Sequence, residues 1–205
     1  MGKRSLNENT KETSGFSDVA GINEDWIMES YGYGSLKTDG TGTPALYFNF
    51  KNGPINLRLT EFDITLESAA KFNSSYPNAD KPKTDEEVYE KQVKEQDARL
   101  IQIARVFVDK SEATIEGDDF TQLATNFVNL LTTKGKNLNE KLRLKVIYNS
   151  KGYLEISTKN GRFIQLASDP IGDMRLTDWE KERVKKDSPD GDKDVENKEK
   201  KKTAW

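Results

Sequence analysis

The sequence predicts an α+β domain, mainly β, in which helices are inserted between the strands of one antiparallel sheet. Three observations carry that prediction. Leu142, Leu144, Val146 and Tyr148 alternate with Arg143, Lys145 and Ile147 ahead of Asn149-Ser150-Lys151-Gly152, the pattern of a strand entering a tight turn closed by a glycine bulge. Residues 45–50 and 55–66 flank Lys51-Asn52-Gly53-Pro54 as a second hairpin. Between the two hairpins, apolar residues recur at helical spacing behind a capping signal.

Taken in order, residues 1–20 are polar apart from Phe16 and Val19 and read as a flexible arm. The stretch from Trp26 to Thr43 carries Tyr31-Gly32-Tyr33-Gly34 and Gly40-Thr41-Gly42. Such Tyr-Gly pairs mark turns beside a core edge, or else a loop on which bases stack. The GxG spacing lacks the strand-to-helix setting of a dinucleotide fingerprint. In the second strand of the 45–66 hairpin the apolar set changes face after Leu59, which predicts a bulge, a bend or a strand that passes from one sheet to another. Residues 73–83 form a loop, and Thr84-Asp85-Glu86-Glu87 opens a helix that runs to Val108. A second helix starts at Asp118 or Asp119 and stops at Lys134-Gly135. Strands near 141–149, 152–157 and 161–166 follow. A short third helix starts at Thr177, with Glu180 completing a capping box and Leu176 and Trp179 buried. Residues 21–186 thus make one domain, and 187–205 a disordered charged tail without apolar periodicity.

The 142–156 hairpin has a definite register. If Gly152 supplies a left-handed residue, Tyr148 faces Leu154 and Val146 faces Ile156. Leu142, Leu144, Val146, Tyr148, Leu154 and Ile156 then point to the core, while Arg143, Lys145, Ile147, Tyr153 and Glu155 point to solvent. Strands on both sides of a helical insertion match an oligonucleotide-binding-like barrel, and equally a curved antiparallel sheet with helices on one face.

With no cysteine and no histidine, the chain has no disulfide, no thiol nucleophile, no zinc finger and no imidazole base. Asp63, Asp118 and Asp119 are conceivable metal ligands, but the last two fit helix caps better. Asp190, Asp192 and Asp194 do not complete a calcium loop. The expectation is therefore a binding protein, not an enzyme, with no cofactor. No apolar run reaches the length of a membrane span, so no membrane partner and a cytoplasmic location are expected, the host-cell cytoplasm if the chain is viral.

Charge points to the class of ligand. The chain has a net charge of −3, yet residues 134–162 hold eight basic side chains against Glu140 and Glu155. A basic sheet face with aromatics beside it suits a single-stranded nucleic-acid backbone. Lys136, Lys141, Arg143, Lys145, Lys151 and Arg162 are the candidate phosphate contacts, and Tyr153 and Phe163 the candidate stacking residues. Outward lysines and arginines on a half-buried strand are equally the mark of a merely solvated face.

Residues 102–108, the run Leu142-Arg143-Leu144-Lys145-Val146-Ile147-Tyr148-Asn149, Lys151-Gly152-Tyr153-Leu154 and Arg162-Phe163-Ile164 resemble a phage-type single-stranded DNA-binding protein. The resemblance covers roughly residues 90–166. It implies a role in DNA replication or recombination, with single-stranded DNA as partner. It also implies an acidic C-terminal tail that competes with DNA and recruits replication proteins, for which the terminal Trp205 is the docking candidate. Residues 187–199 do hold six acids and two lysines, but Lys200-Lys201-Lys202 departs from the pattern. The alternative is a virion structural or assembly protein whose tails make protein contacts.

Overall fold

Most strands and helices follow the periodicities of the sequence, but two elements, the strand Gly21–Ser35 and the helix Leu66–Ser75, were not expected. The computed structural model describes residues 20–37, 40–75 and 83–184, so the arm, the tail and Trp205 lie outside the described residues. Six strands form one antiparallel sheet: β1 (Gly21–Ser35), β2 (Pro44–Asn52), β3 (Ile55–Phe62), β4 (Leu142–Tyr148), β5 (Leu154–Ile156) and β6 (Ile164–Leu166). Four helices, α1 (Leu66–Ser75), α2 (Asp85–Phe107), α3 (Phe120–Lys134) and α4 (Asp178–Val184), complete an α+β architecture. The sheet runs β3-β2-β1-β4-β5, with β6 on the same edge of β4 as β5.

β1 is the first departure, because residues 21–35 were not expected to be a strand. Its first half pairs with β4, from Gly21↔Val146 to Trp26↔Leu142, and its second half with β2, from Ile27↔Lys51 to Ser35↔Pro44. Register shifts between Asn23 and Trp26 and between Met28 and Ser30 bend it from one half of the sheet to the other. The Tyr-Gly repeat is therefore a strand with period two: Tyr31 and Tyr33 face the helices, while Gly32 and Gly34 face out. Tyr33 meets Phe120 edge to face at 6.1 Å.

The bend expected after Leu59 is absent from β3, which pairs with β2 without interruption from Ile55 to Phe62. Alternation simply continues, and the inward residue is Glu61, only 4 % exposed. Arg99 of α2 grips its carboxylate with two nitrogens, at 2.5 and 2.7 Å, and Gln96 adds a bond at 3.1 Å. The apolar Phe62 is left outside. The chain then turns into α1, the second departure, which packs against α2.

The remaining helices begin and end where capping chemistry placed them. Thr84 and Glu87 form the reciprocal box of α2, and Asp119 caps α3 by accepting from the Gln122 amide. Thr177 and Glu180 exchange bonds at the start of α4. Trp179, expected to be buried there, is 39 % exposed, and Glu180 takes the inner position instead. One core joins both halves of the sheet to α2 and α3, with Trp26, Phe48, Phe50, Phe107, Phe127 and Phe163 at its centre. Phe48 and Phe127 meet edge to face at 5.5 Å. Among the described residues no helix is long and apolar enough to cross a membrane.

Candidate nucleic-acid interface

The 142–156 hairpin has its expected register, with Val146↔Ile156, Ile147↔Glu155 and Tyr148↔Leu154, and Gly152 is left-handed at φ 77°. Its outer face, however, is covered. Every residue of β4 is buried, because α4 lies on that face beside the segments 157–163 and 167–170. Arg143 and Lys145, expected at the surface, are 5 % and 0 % exposed. Arg143 pairs with Glu24 and donates to the carbonyls of Ala167 and Asp169. Lys145 Nζ lies 2.8 Å from Glu180 and donates to the carbonyls of Lys159 and Asn160, which occupies its three protons. Burial pushes the Glu180 carboxyl up. The bonds it accepts from Lys145, Ser157 and Thr177 outweigh burial and hold it below the ordinary carboxylate range. Phe163, expected to stack on a base, sits in the core with no exposed surface.

The local excess of positive charge is consequently dispersed in space. Five of its eight cations pair with acids from other parts of the chain: Lys134 with Glu112, Lys136 with Asp109, Lys141 with Asp25, Arg143 with Glu24 and Lys145 with Glu180. Hydrogen bonds from Lys136 to Asp109 and from Lys141 to Asp25 raise both amine pKa values above the ordinary lysine range. Lys159 lies 5.2 Å from the ring of Trp179, which Arg183 also covers at 4.3 Å. Lys151, Tyr153 and Arg162 are exposed, Tyr153 by 68 %. The seven residues of β4, roughly 23 Å of strand, separate Lys141 from Lys151.

A different surface gathers ligand-binding chemistry. Among the described residues the outer face of β1, β2 and β3 carries no helix, and its ladders align Gly32, Tyr47 and Thr60 in one row and Ser30, Asn49 and Arg58 in the next. A side chain at position 32 would place its Cβ 2.6 Å from Tyr47 Oη, so the glycine lets the phenol end of Tyr47 lie across β1. The Arg58 guanidinium carbon is 5.7 Å from the centre of that ring. Arg58 Nε donates to Asn49 Oδ1 at 2.6 Å, and Asn49 Nδ2 donates to Ser30 Oγ at 2.7 Å, which fixes the amide of Asn49. Glu29, thrown onto this face by the irregularity between Met28 and Ser30, pairs with Lys51 at 3.3 Å. Glu29, Asn49, Asn56, Leu57 and Arg58 line a shallow pocket there.

Charge density in the sequence pointed away from these residues. The available signal was alternation: Tyr47, Asn49 and Lys51 share one face of β2, and Asn56, Arg58 and Thr60 share the matching face of β3. Among the described residues no cluster of acids could hold a metal ion. Comparison with protein-family models, with curated proteins and with solved structures returned no match.

Proposed function

We propose that this chain is a non-enzymatic single-stranded DNA-binding protein of replication or recombination, and that the strand crosses the outer face of β1, β2 and β3. The observation that carries this reading is the Tyr47 ring lying over Gly32 beside Arg58. The Arg58 guanidinium lies over that ring, so a base stacks there by sharing or displacing the cation, and Arg58 is in no ion pair with a carboxylate among the described residues, which leaves it available to a phosphate. Topology adds support at the level of fold analogy. The helices between β3 and β4, the bent β1 shared by β2 and β4, and the approach of β5 to β3 suit an oligonucleotide-binding barrel. Such barrels take their ligand on strands two and three, between the loops that follow strands one and four. Here Lys37 lies just beyond β1, and the turn 149–153 after β4 carries Lys151 and Tyr153. In this reading the exposed Lys151 and Tyr153 remain candidate contacts, whereas the buried Arg143, Lys145 and Phe163 have structural roles.

Fluorescence-anisotropy titration of a labelled single-stranded oligonucleotide tests the assignment. Tyr47→Ala is expected to cost about 1–3 kcal/mol of binding free energy with little change in salt dependence, because stacking releases no counterions. Arg58→Ala is expected to reduce the salt slope by about 0.7, the value for one phosphate contact on a single strand. If neither variant weakens binding while the wild type binds, the face is wrong. Failure of the wild type to bind at low salt rejects the function itself.

Gly32→Ala supplies an independent check on the platform. The added methyl must push the phenol end of Tyr47 away while the core behind Tyr31 and Tyr33 is untouched. Binding should fall as in Tyr47→Ala, with the thermal midpoint nearly unchanged. Undiminished binding would mean that the lie of the ring across β1 is irrelevant.

A further inference from the structure

We infer that the pocket formed by Glu29, Asn49, Asn56 and Arg58 reads the edge of one unpaired base and favours guanine over thymine. This inference rests on the nucleic-acid reading of the same face. Tyr47 and Asn49 are two residues apart on one side of β2, so a base stacked on Tyr47 leaves its neighbour about 7 Å along the strand, over the pocket. A stacking platform alone is indifferent to sequence, since every base has a π-face. The pocket is not indifferent, because it holds a carboxylate.

Glu29 is a half-exposed acid on an otherwise cationic and amide-lined patch. Lys51 approaches its Oε1 at 3.3 Å, and a carboxylate has about four lone-pair positions, so both oxygens keep acceptor capacity. Guanine presents two adjacent donors on its pairing edge, N1–H and the N2 amino group, and these match the two carboxylate oxygens. Thymine offers a single N3–H between two carbonyl oxygens, which a carboxylate repels. Adenine and cytosine each place one amino group beside a ring acceptor, a pattern suited to the amide of Asn56 and intermediate for Glu29. Asn49 is held by Arg58 and Ser30, so it shapes the pocket without competing for the base.

The test is anisotropy with an all-thymidine strand and with the same strand carrying interspersed guanosines, in lithium buffer to suppress guanine quartets. Wild-type protein is expected to bind the guanosine-containing strand about five-fold or more tightly, the lower end of discrimination by a paired base contact. Glu29→Gln should abolish the preference and tighten binding to the thymidine strand, because an amide donates and accepts in the order that N3–H and a carbonyl require. The variant should fold as the wild type does, since an exposed Lys51 pair contributes little to stability. Equal affinity of the wild type for the two strands, or a preference that survives Glu29→Gln, overturns the guanine inference and leaves the binding function standing. Absence of binding to both strands overturns both.

Discussion

Lys145→Met is expected to destabilise the protein by about 3–5 kcal/mol, the cost of leaving a buried ion without its partner. Lys145 and Glu180 are both fully buried, and the methionine fills the lysine stem while removing the cation. For a domain of this size the thermal midpoint should drop by roughly 6–20 °C. The acid dependence of the deficit identifies its cause. In the wild type the folded-state pKa of Glu180 lies below its unfolded value, so its contribution is present above the unfolded value and is lost as pH falls through the folded one. Without the cation, burial is expected to outweigh the remaining bonds from Ser157 and Thr177 and to carry the folded value above the unfolded one, so that protonation would favour the fold. Urea melts should therefore show the deficit shrinking from neutral pH toward about pH 5. A deficit that holds steady or grows on acidification would mean that the Glu180 pKa has not risen above its unfolded value and that the carboxylate stays charged in the fold without Lys145. Lys136→Ala and Lys141→Ala, by contrast, remove exposed pairs and should each leave the thermal midpoint close to that of the wild type.

The second large effect is expected at the opposite edge of the sheet, where Arg99→Ala strands the buried carboxylate of Glu61. Gln96 retains one bond to it, and Arg99 is itself one-fifth exposed, which places the cost near the lower end of the range, at about 3 kcal/mol. Hydrogen bonding to Glu61 raises the Arg99 pKa further above its ordinary value despite partial burial, so the guanidinium remains charged at every accessible pH. Replacing both partners, as Glu61→Leu with Arg99→Met, should cost less than Arg99→Ala alone, because no uncompensated charge remains. Equilibrium denaturation of the two variants decides it. A double variant less stable than Arg99→Ala would make the bidentate pair a net stabiliser of the β3–α2 contact.

These two sites also explain why the surface was misjudged from sequence. A basic residue on an alternating strand is outward with respect to its own ladder, and that much was correct for Arg143 and Lys145. Whether outward means solvent depends on what else lands there, and α4 and the 157–170 segment land on β4. Likewise Glu61 looked like a change of face because charge was taken as a sign of exposure. Its alternation was unbroken, and Arg99 supplied the compensation from a helix 38 residues away.

Local chemistry was legible wherever neighbours in sequence settle the conformation. The Thr84–Glu87 box, the Asp119 cap, the Thr177–Glu180 exchange and the Gly152 turn with its register were all readable, because each is satisfied within about four residues. Strand β1 was not, since its glycines and acids oppose strand propensity. Its stability comes from pairing with β2 on one side and β4 on the other. Nor was the proposed binding face. Tyr47, Asn49, Arg58 and Glu29 come from three strands, and only their ladders bring them together, while the acids Glu24, Asp25, Asp109, Glu112 and Glu180 arrive from afar to neutralise the basic run. The sequence by itself determined the hairpins, the caps and the helical insertion, because backbone geometry and capping are short-range. The tertiary structure alone decided which cations remain in water, because ion pairing and burial are set by residues up to 119 positions apart.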